Sequence, residues 1–282
     1  MADGAVVVTG ASTGIGEATT KHLRSLGFDV FAGVRKDEDA ESARSNGMRP
    51  VKLDVTDAAT IESARDEVAG ALDGARLAGL VNNAGVAISG PIEFVPVDEL
   101  RRQLEINVVG QVAVTQAFMA LLRRSRGRVV NMSSIGGRIA LPLVGPYAAS
   151  KFALEAVSDS LRREVRGQGV EVVVVEPSAI KTPIWGKGNA AADEMLADAP
   201  PEAEQLYGDL IRALRAETVK IEDDRGLPPE EVAKVVGQAL TARKPKTRYL
   251  VGRDAKVRAA MARRLPDRVM DSLIGRALGG SR

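Results

Sequence analysis

Cysteine is absent from all 282 residues, and histidine occurs once, as His22. No disulfide, thiolate nucleophile or Cys-based metal site can be built from this chain, and one histidine cannot make a histidine metal cluster. A Ser-His-Asp triad would have to use His22. That residue falls in a helical pattern with nothing catalytic around it, so a solvated helix histidine is the plainer reading. No apolar run approaches the roughly 20 residues needed to span a bilayer. The opening MADGAVVVTG has neither the basic n-region nor the long h-region of a signal peptide. A soluble, cytoplasmic protein is expected. Net charge is only +2, and no nucleic-acid partner is expected.

At 282 residues and 45% hydrophobic, the chain is long enough for one sizeable core and short for two. Ala5–Thr9, AVVVT, reads as a strand buried on both faces. Gly10-Ala-Ser12-Thr13-Gly14-Ile15-Gly16 follows, and then a helical pattern to Leu26. Strand, glycine-rich turn and helix together suit a nucleotide phosphate, because glycines let the backbone approach it and a helix N-terminus offers free N–H groups. The spacing is not that of a P-loop, since no Lys-Ser/Thr pair follows the last glycine.

Asp29–Val34 reads as the second strand. At its C-terminal end, where an acid would hold the ribose hydroxyls of NAD, stand Val34 and then Arg35-Lys36. A missing carboxylate beside a guanidinium suits a 2′-phosphate, hence NADP(H) preferred with NAD(H) still possible; the bland alternative is a solvated basic turn. Pro50–Leu53 is a third strand, ending at Asp54-Val55, where Asp54 could accept from an adenine amino group. Leu77–Val81 is a fourth and runs into Asn82-Asn83-Ala84-Gly85. Small and amide residues there fit a backbone passing close to a cofactor. A long helix is expected from about Val97 to Arg124 with Asn107 inside it. Asn competes for backbone hydrogen bonds in helices, so it marks either a polar task or a local kink.

Gly127–Met132 is a fifth strand with Ser133-Ser134 at its end, and Val170–Val175 a sixth, ending at Pro177-Ser178-Ala-Ile180-Lys-Thr182. Between them lies Tyr147-Ala-Ala-Ser-Lys151 on a helix running to about Arg166. Tyr147 and Lys151, one turn apart, share a face. A nearby ammonium favours the phenolate and lowers its pKa from about 10, which suits proton transfer to or from an alcohol or carbonyl oxygen. Ser134 is a candidate to hold that oxygen. Phe152, Ala156, Val157, Leu161 and Val165 recur at helical spacing as an apolar face. No G-x-S-x-G elbow surrounds Ser134, which sets a serine hydrolase aside. Alternating strands and helices give an α/β class, a doubly wound parallel sheet whose motifs all sit at strand C-termini, where ligands bind.

The ordered set Thr9-Gly10-x-x-x-Gly14-x-Gly16, Asp54-Val55, Asn82-Asn83-Ala84-Gly85, Asn107, Ser134, Tyr147-x-x-x-Lys151 and Pro177-x-x-Ile180-x-Thr182 resembles the classical short-chain dehydrogenases/reductases over residues 5 to about 182. The resemblance implies a Rossmann fold with seven strands in the order 3-2-1-4-5-6-7 and a nicotinamide cofactor, whose expected contacts are Gly10, Ser12, Thr13, Gly14, Ile15, Gly16, Arg35, Asp54, Val55, Asn83, Ala84, Gly85, Tyr147, Lys151, Pro177, Ile180 and Thr182. It implies Tyr147 as general acid/base, Lys151 lowering its pKa and holding the nicotinamide ribose, Ser134 orienting substrate oxygen, and Asn107 holding a relay water. It also implies a homodimer or homotetramer. The family usually has Pro-Gly where this chain has Pro177-Ser178.

Residues 1–252 are expected to form this domain, with a substrate lid at about 183–226 carrying Trp185, Met195, Leu196, Tyr207, Leu210, Ile211 and Leu214. Thr247–Gly252 is the expected seventh strand. This C-terminal part looks like the steroid- and retinol-dehydrogenase side of the family. The apolar lid favours a small hydrophobic substrate (steroid, retinoid, fatty-acyl or terpenoid), although plain packing explains it equally well. An NADP(H)-dependent alcohol/ketone oxidoreductase is expected, the alternative being a non-catalytic nucleotide-binding regulator on the same fold. Residues 253–282 form a basic helical extension. From Arg243 onward there are twelve Lys/Arg against three Asp/Glu, with Val257, Met261, Leu265, Val269 and Leu273 at four-residue spacing. The plainer expectation packs this stripe on the body; the alternative lays it on an anionic membrane.

Overall fold

The computed structural model describes residues 3–221, 223 and 226–278. Seven parallel strands form one sheet: β1 Ala5–Thr9, β2 Asp29–Val34, β3 Arg49–Lys52, β4 Leu77–Asn82, β5 Arg128–Met132, β6 Glu171–Pro177 and β7 Arg248–Val251. Their order is β3-β2-β1-β4-β5-β6-β7, as the resemblance implied. Runs of branched residues dictate this arrangement. In β1, Val6 and Val8 enter the core on one face of the sheet and Val7 the core on the other, following the two-residue period of a strand. Each fully buried valine contributes about 1.5–3 kcal/mol, so the central strands sit where both faces are covered.

Helices α1 (Gly14–Ser25) and α9 (Pro229–Thr241) pack against each other on one face. On the other, α3 (Ala58–Ala71) packs on α5 (Gly110–Ser125). The remaining helices are α2 (Asp37–Ser45), α4 (Val97–Leu104), α6 (Gly145–Glu164), α7 (Ile184–Ala197), α8 (Pro201–Lys220), α10 (Arg253–Arg264) and α11 (Asp267–Ala277).

The helix expected over 97–124 spans Val97–Ser125, but Glu105–Val109 is a π-turn joining α4 to α5. Asn107 lies within it, so both expectations for this residue hold at once: the helix is locally widened and the amide has polar work. By length and composition this helix could cross a membrane, contrary to the expectation that nothing here would. Gln103, Asn107, Gln111 and Thr115 are all buried in the fold, as suits a core helix.

Two expected apolar faces are buried only in part. Of the face expected on α6, Val165 enters the core and Leu161 packs against it, whereas Phe152 is 45% exposed and the buried residues nearer the start include Tyr147, Ala148, Ser150, Lys151, Leu154 and Ser158. The helix turns its polar residues inward because β5 offers them partners: Asn131 Nδ2 donates to Ser158 Oγ at 2.8 Å, and Asn82 Nδ2 to Asn131 Oδ1 at 2.8 Å. In the C-terminal extension, α10 buries Ala255 and Ala259, while Val257, Val269 and Leu273 stay 59%, 44% and 37% exposed. Small alanines let α10 approach the body closely, and the stripe of larger residues is left outward. Residues 279–282 of the extension lie outside the described residues.

Candidate active site

At the C-terminal edge of β1, Gly10 and Gly14 adopt φ of +61° and +56°, a region that favours glycine. A side chain on Gly16 would meet the Gly10 carbonyl and the Asn83 amide. Asn83 Nδ2 donates to the Thr9 and Gly10 carbonyls, both at 3.0 Å, and Thr9 Oγ1 accepts from the Asn83 and Ala84 N–H groups at 2.9 and 3.0 Å. Turn and loop thus brace each other. Thr13 precedes α1 without making a side-chain cap, so the first N–H groups of the helix face outward as donors for an anion. Thr182 closes over this turn: a side chain on Gly14 would touch it. Beside it lies an open cleft of about 480 Å³ lined by Lys181, Thr182, Pro183, Gly186 and Lys187. Ser12 and Ile15 belong to the same turn. The backbone crowding and uncapped helix end fit the pyrophosphate of a dinucleotide.

Arg35 follows β2, its side chain 69% exposed, with Nη1 3.9 Å from Asp54 Oδ2. Asp54 Oδ1 is already taken by the Thr56 N–H and hydroxyl at 2.9 and 2.8 Å, which leaves one oxygen for an adenine contact. Val55 is buried and pressed against Gly110.

The loop after β4 hangs on a stripe of buried amides. Gln111 Nε2 donates to the Ala84 carbonyl, and Gly85 abuts Asn107. Asn107 accepts from the Val86 N–H at 2.9 Å and donates to its carbonyl at 2.9 Å. Gln103 accepts from the Ile88 N–H at 2.7 Å. Residues 103, 107, 111 and 115 recur every four positions. A 3.6-residue helix would drift off that stripe, and the wider π-turn takes back part of the drift. Asn107 Nδ2 also reaches Ser150 Oγ at 3.1 Å, tying the stripe to α6. Amides at four-residue spacing in an apolar helix were the signal for Gln103 and Gln111, which motif reading alone passes over.

Ser134, Tyr147 and Lys151 come together at the end of β5. Ser134 opens a short 3₁₀ turn, Ile135–Gly137, and its Oγ accepts from the Gly136 N–H at 3.0 Å. Tyr147 and Lys151 are 8% and 6% exposed. Lys151 Nζ donates to the Met132 carbonyl at 2.8 Å and stands 5.6 Å from the Tyr147 ring centroid. Burial pushes the Tyr147 phenol up, and the Ser134 hydroxyl draws it partly back. Burial brings Lys151 down to about 8. The expectation is that Lys151 lowers the tyrosine pKa; in this structure burial of the ring is the larger influence, and Trp185 of α7 meets the ring edge-on at 5.5 Å. Leu143, also missed, is buried at φ +65°, and its carbonyl accepts from the Gly90 N–H at 2.6 Å.

Pro177 ends β6, and Ile180 is buried and bridges to Leu227. Ser178, in place of the usual glycine, is not among the non-glycine residues with positive φ, so the substitution causes no backbone strain. Its hydroxyl donates instead to Asp254 of α10. Helix α8 docks by Tyr207, whose hydroxyl donates to Glu93 at 2.8 Å and whose ring meets Phe94 edge-on at 6.0 Å.

The model of the short chain dehydrogenase family matches residues 4–193. The chain is 40% identical to an NADPH-dependent 3-dehydrocapnine reductase of Ornithobacterium rhinotracheale, covering 95% of this chain and 94% of that one. It is 36% identical to mouse retinol dehydrogenase 5, covering 96% and 88%. Among solved structures, a Burkholderia cenocepacia short chain dehydrogenase in complex with NADP superposes with a TM-score of 0.72 at 26% identity, covering 98% of both chains. Sequence motifs, sheet order and these end-to-end alignments agree, and the chain belongs to the short-chain dehydrogenase family, an oxidoreductase of the CH–OH group.

Proposed function

We propose that this protein is an NADP(H)-dependent oxidoreductase interconverting a secondary alcohol and a ketone on an apolar substrate. The observation that carries the reading is Tyr147 and Lys151 buried one turn apart at the sheet's C-terminal edge, with Ser134 beside the phenol. When bound, the nicotinamide gives or takes the hydride at the carbinol carbon. Tyr147 gives its phenolic proton to the carbonyl oxygen in reduction and takes the alcohol proton in oxidation. Ser134 holds that oxygen by hydrogen bond. Lys151, fixed on the Met132 carbonyl, supplies positive charge beside the phenolate. Asn107, joined to Ser150, connects the site to the amide stripe. NADPH incubated with a panel of ketones should lose nicotinamide absorbance. Binding of NADPH with no turnover of any ketone would favour the regulatory alternative.

Arg35 supports NADP, as do the NADPH-dependent reductase relative and the dehydrogenase solved with NADP. Gly10, Ser12, Thr13, Gly14, Ile15, Gly16, Asp54, Val55, Asn83, Ala84, Gly85, Pro177, Ile180 and Thr182 are the proposed remainder of the dinucleotide site. Trp185, Phe94 and Tyr207 support an apolar substrate, of steroid, retinoid, fatty-acyl or terpenoid type. A cytoplasmic location is part of this reading.

Val109 and Phe152, 50% and 45% exposed, support a self-association surface on the α5–α6 side. A homodimer or homotetramer is expected. Light scattering should give at least twice the 29.8 kDa chain mass at micromolar concentration, and the double variant Val109→Glu/Phe152→Glu should lower it. A monomeric wild type would remove the proposal.

The C-terminal extension is proposed to rest on an anionic bilayer. The exposed stripe on α10 and α11 is apolar, and the surrounding segment carries a large basic excess, the combination that binds such surfaces. Because α10 packs on β7 and the Ile135–Gly137 turn, a membrane there would lie near the site. Vesicles containing phosphatidylglycerol should float the protein at low salt and release it at high salt. Val269→Glu/Leu273→Glu should abolish flotation while leaving turnover of a water-soluble ketone intact. No flotation of the wild type at low salt, or flotation unchanged by the pair, would confine the extension to packing.

A further inference from the structure

One buried carboxyl near the site has no part in the mechanism above. Glu155 lies one turn beyond Lys151 on α6. Its Oε2 meets Arg248 of β7, at 3.0 Å from both Nε and Nη2. Its Oε1 is sealed from solvent without a hydrogen-bond partner in good geometry, and so is the hydroxyl of Ser133, which lies close enough to pull the Glu155 pKa down against burial. A side chain on Gly137 would run into Ser133 Oγ, Glu155 Cγ and the Lys151 carbonyl together. Glu155 is therefore wedged between the lysine and the turn that aims Ser134.

Arg248 also reaches Glu176 of β6 at 3.2 Å and Asp159 of α6 at 2.9 Å. Arg138, just after the 3₁₀ turn, forks onto Glu176 with bonds of 2.7 and 2.8 Å, and Glu176 is fully buried. Asp159 is paired as well with Arg162 and Arg163 at 2.8 and 3.5 Å. Glu155, one turn along α6 from Lys151, is the carboxylate whose field raises the lysine pKa against burial. Of the other groups facing the lysine, Tyr147 is neutral at ordinary pH, and Asn107 reaches α6 only through neutral Ser150. An uncompensated buried charge is costly, so ammonium and carboxylate stabilise each other's ionised form.

We propose that Glu155 is a positioning residue that keeps Lys151 protonated and braces the Ser133–Gly137 turn. The proposal rests on the reading of Lys151 given above and deepens it. Through Arg248 it makes the edge strand β7 part of the support of the catalytic helix.

Glu155→Gln keeps the shape and the acceptor for Arg248 but removes the charge. Lys151 should then lose its proton at lower pH, moving the alkaline limb of kcat/KM down by about half a pH unit or more. Glu155→Asp keeps the charge on a shorter stem. It should restore the limb to within a few tenths of a unit while kcat stays reduced, since the turn is no longer braced. A second readout needs no cofactor. The folded-state pKa of Lys151 is about 8, against 10.5 unfolded, so the unfolded chain binds more protons between those values and stability rises with pH across that window. In Glu155→Gln that rise in melting temperature should begin at lower pH; in Glu155→Asp it should begin where wild type does. An unchanged alkaline limb and unchanged onset in Glu155→Gln would overturn the proposal. So would equal shifts in Gln and Asp variants, which would mean that packing alone was altered. A loss of turnover in Tyr147→Phe with the melting onset still moved by Glu155→Gln would leave both readings standing; retention of turnover in Tyr147→Phe would strike the catalytic reading alone.

Discussion

Tyr147→Phe should lower kcat by about 10²–10⁴-fold, the usual contribution of a positioned general acid or base, while the Kd for NADPH changes by less than about three-fold, as for an isosteric change. The phenol is the one proton carrier that Ser134 touches, and the ring is held by packing: it is 8% exposed and capped by Trp185. Phenylalanine keeps that packing, so the variant separates proton transfer from folding and from cofactor binding. Lys151→Ala behaves differently. It removes the ammonium, breaks the bond to the Met132 carbonyl, and leaves Glu155 without the cation one turn away. Both turnover and cofactor affinity should fall, and melting temperature with them. Steady-state rates with NADPH and a reducible ketone, beside a fluorescence titration of NADPH, read these quantities separately. Wild-type turnover in Tyr147→Phe would sink the assignment of the proton.

The sheet could be read from the sequence because its strands obey one rule. A parallel strand covered on both faces is a run of branched apolar residues, and AVVVT and the valines of β6 announce themselves. The site motifs were legible for a related reason: glycines, amides and the Tyr-x-x-x-Lys spacing hold fixed places at strand ends. What the sequence hid was polar burial. The inward face of α6 carries Ser150, Lys151 and Ser158 while Phe152 points out, so a periodicity argument that sends apolar residues inward held at Leu161 and Val165 and failed at Phe152. The same logic misplaced the stripe of α10, where alanines, not the larger residues, meet the body. The Glu155 network was likewise invisible. Each depends on which backbone groups and charges lie opposite, and those are set by other elements of the chain.

Arg35→Ala should raise the Kd for NADPH by roughly ten- to a hundred-fold and leave that for NADH within about two-fold. Only NADPH carries a 2′-phosphate, and a charge-assisted hydrogen bond lost from such a group costs about 1.5–3 kcal/mol, each 1.4 kcal/mol being tenfold in Kd. The guanidinium is 69% exposed and stands 3.9 Å from Asp54. That pair is worth little in water, so Arg35 is free to turn toward a phosphate, and solvent screening places the effect at the lower end of the range. The setting makes the residue decisive. Asp37, Glu38 and Asp39 fill the first turn of α2 directly after Lys36, where acids complement the helix dipole, so Arg35 and Lys36 are the cations set against them. Arg35→Lys keeps the charge and loses the planar fork, so its affinity for NADPH should fall between wild type and alanine. Paired titrations of both cofactors against the three proteins decide the matter. Equal losses for NADPH and NADH in Arg35→Ala, or a wild-type protein that binds NADH more tightly, would mean that Val34-Arg35 does not select the phosphorylated cofactor.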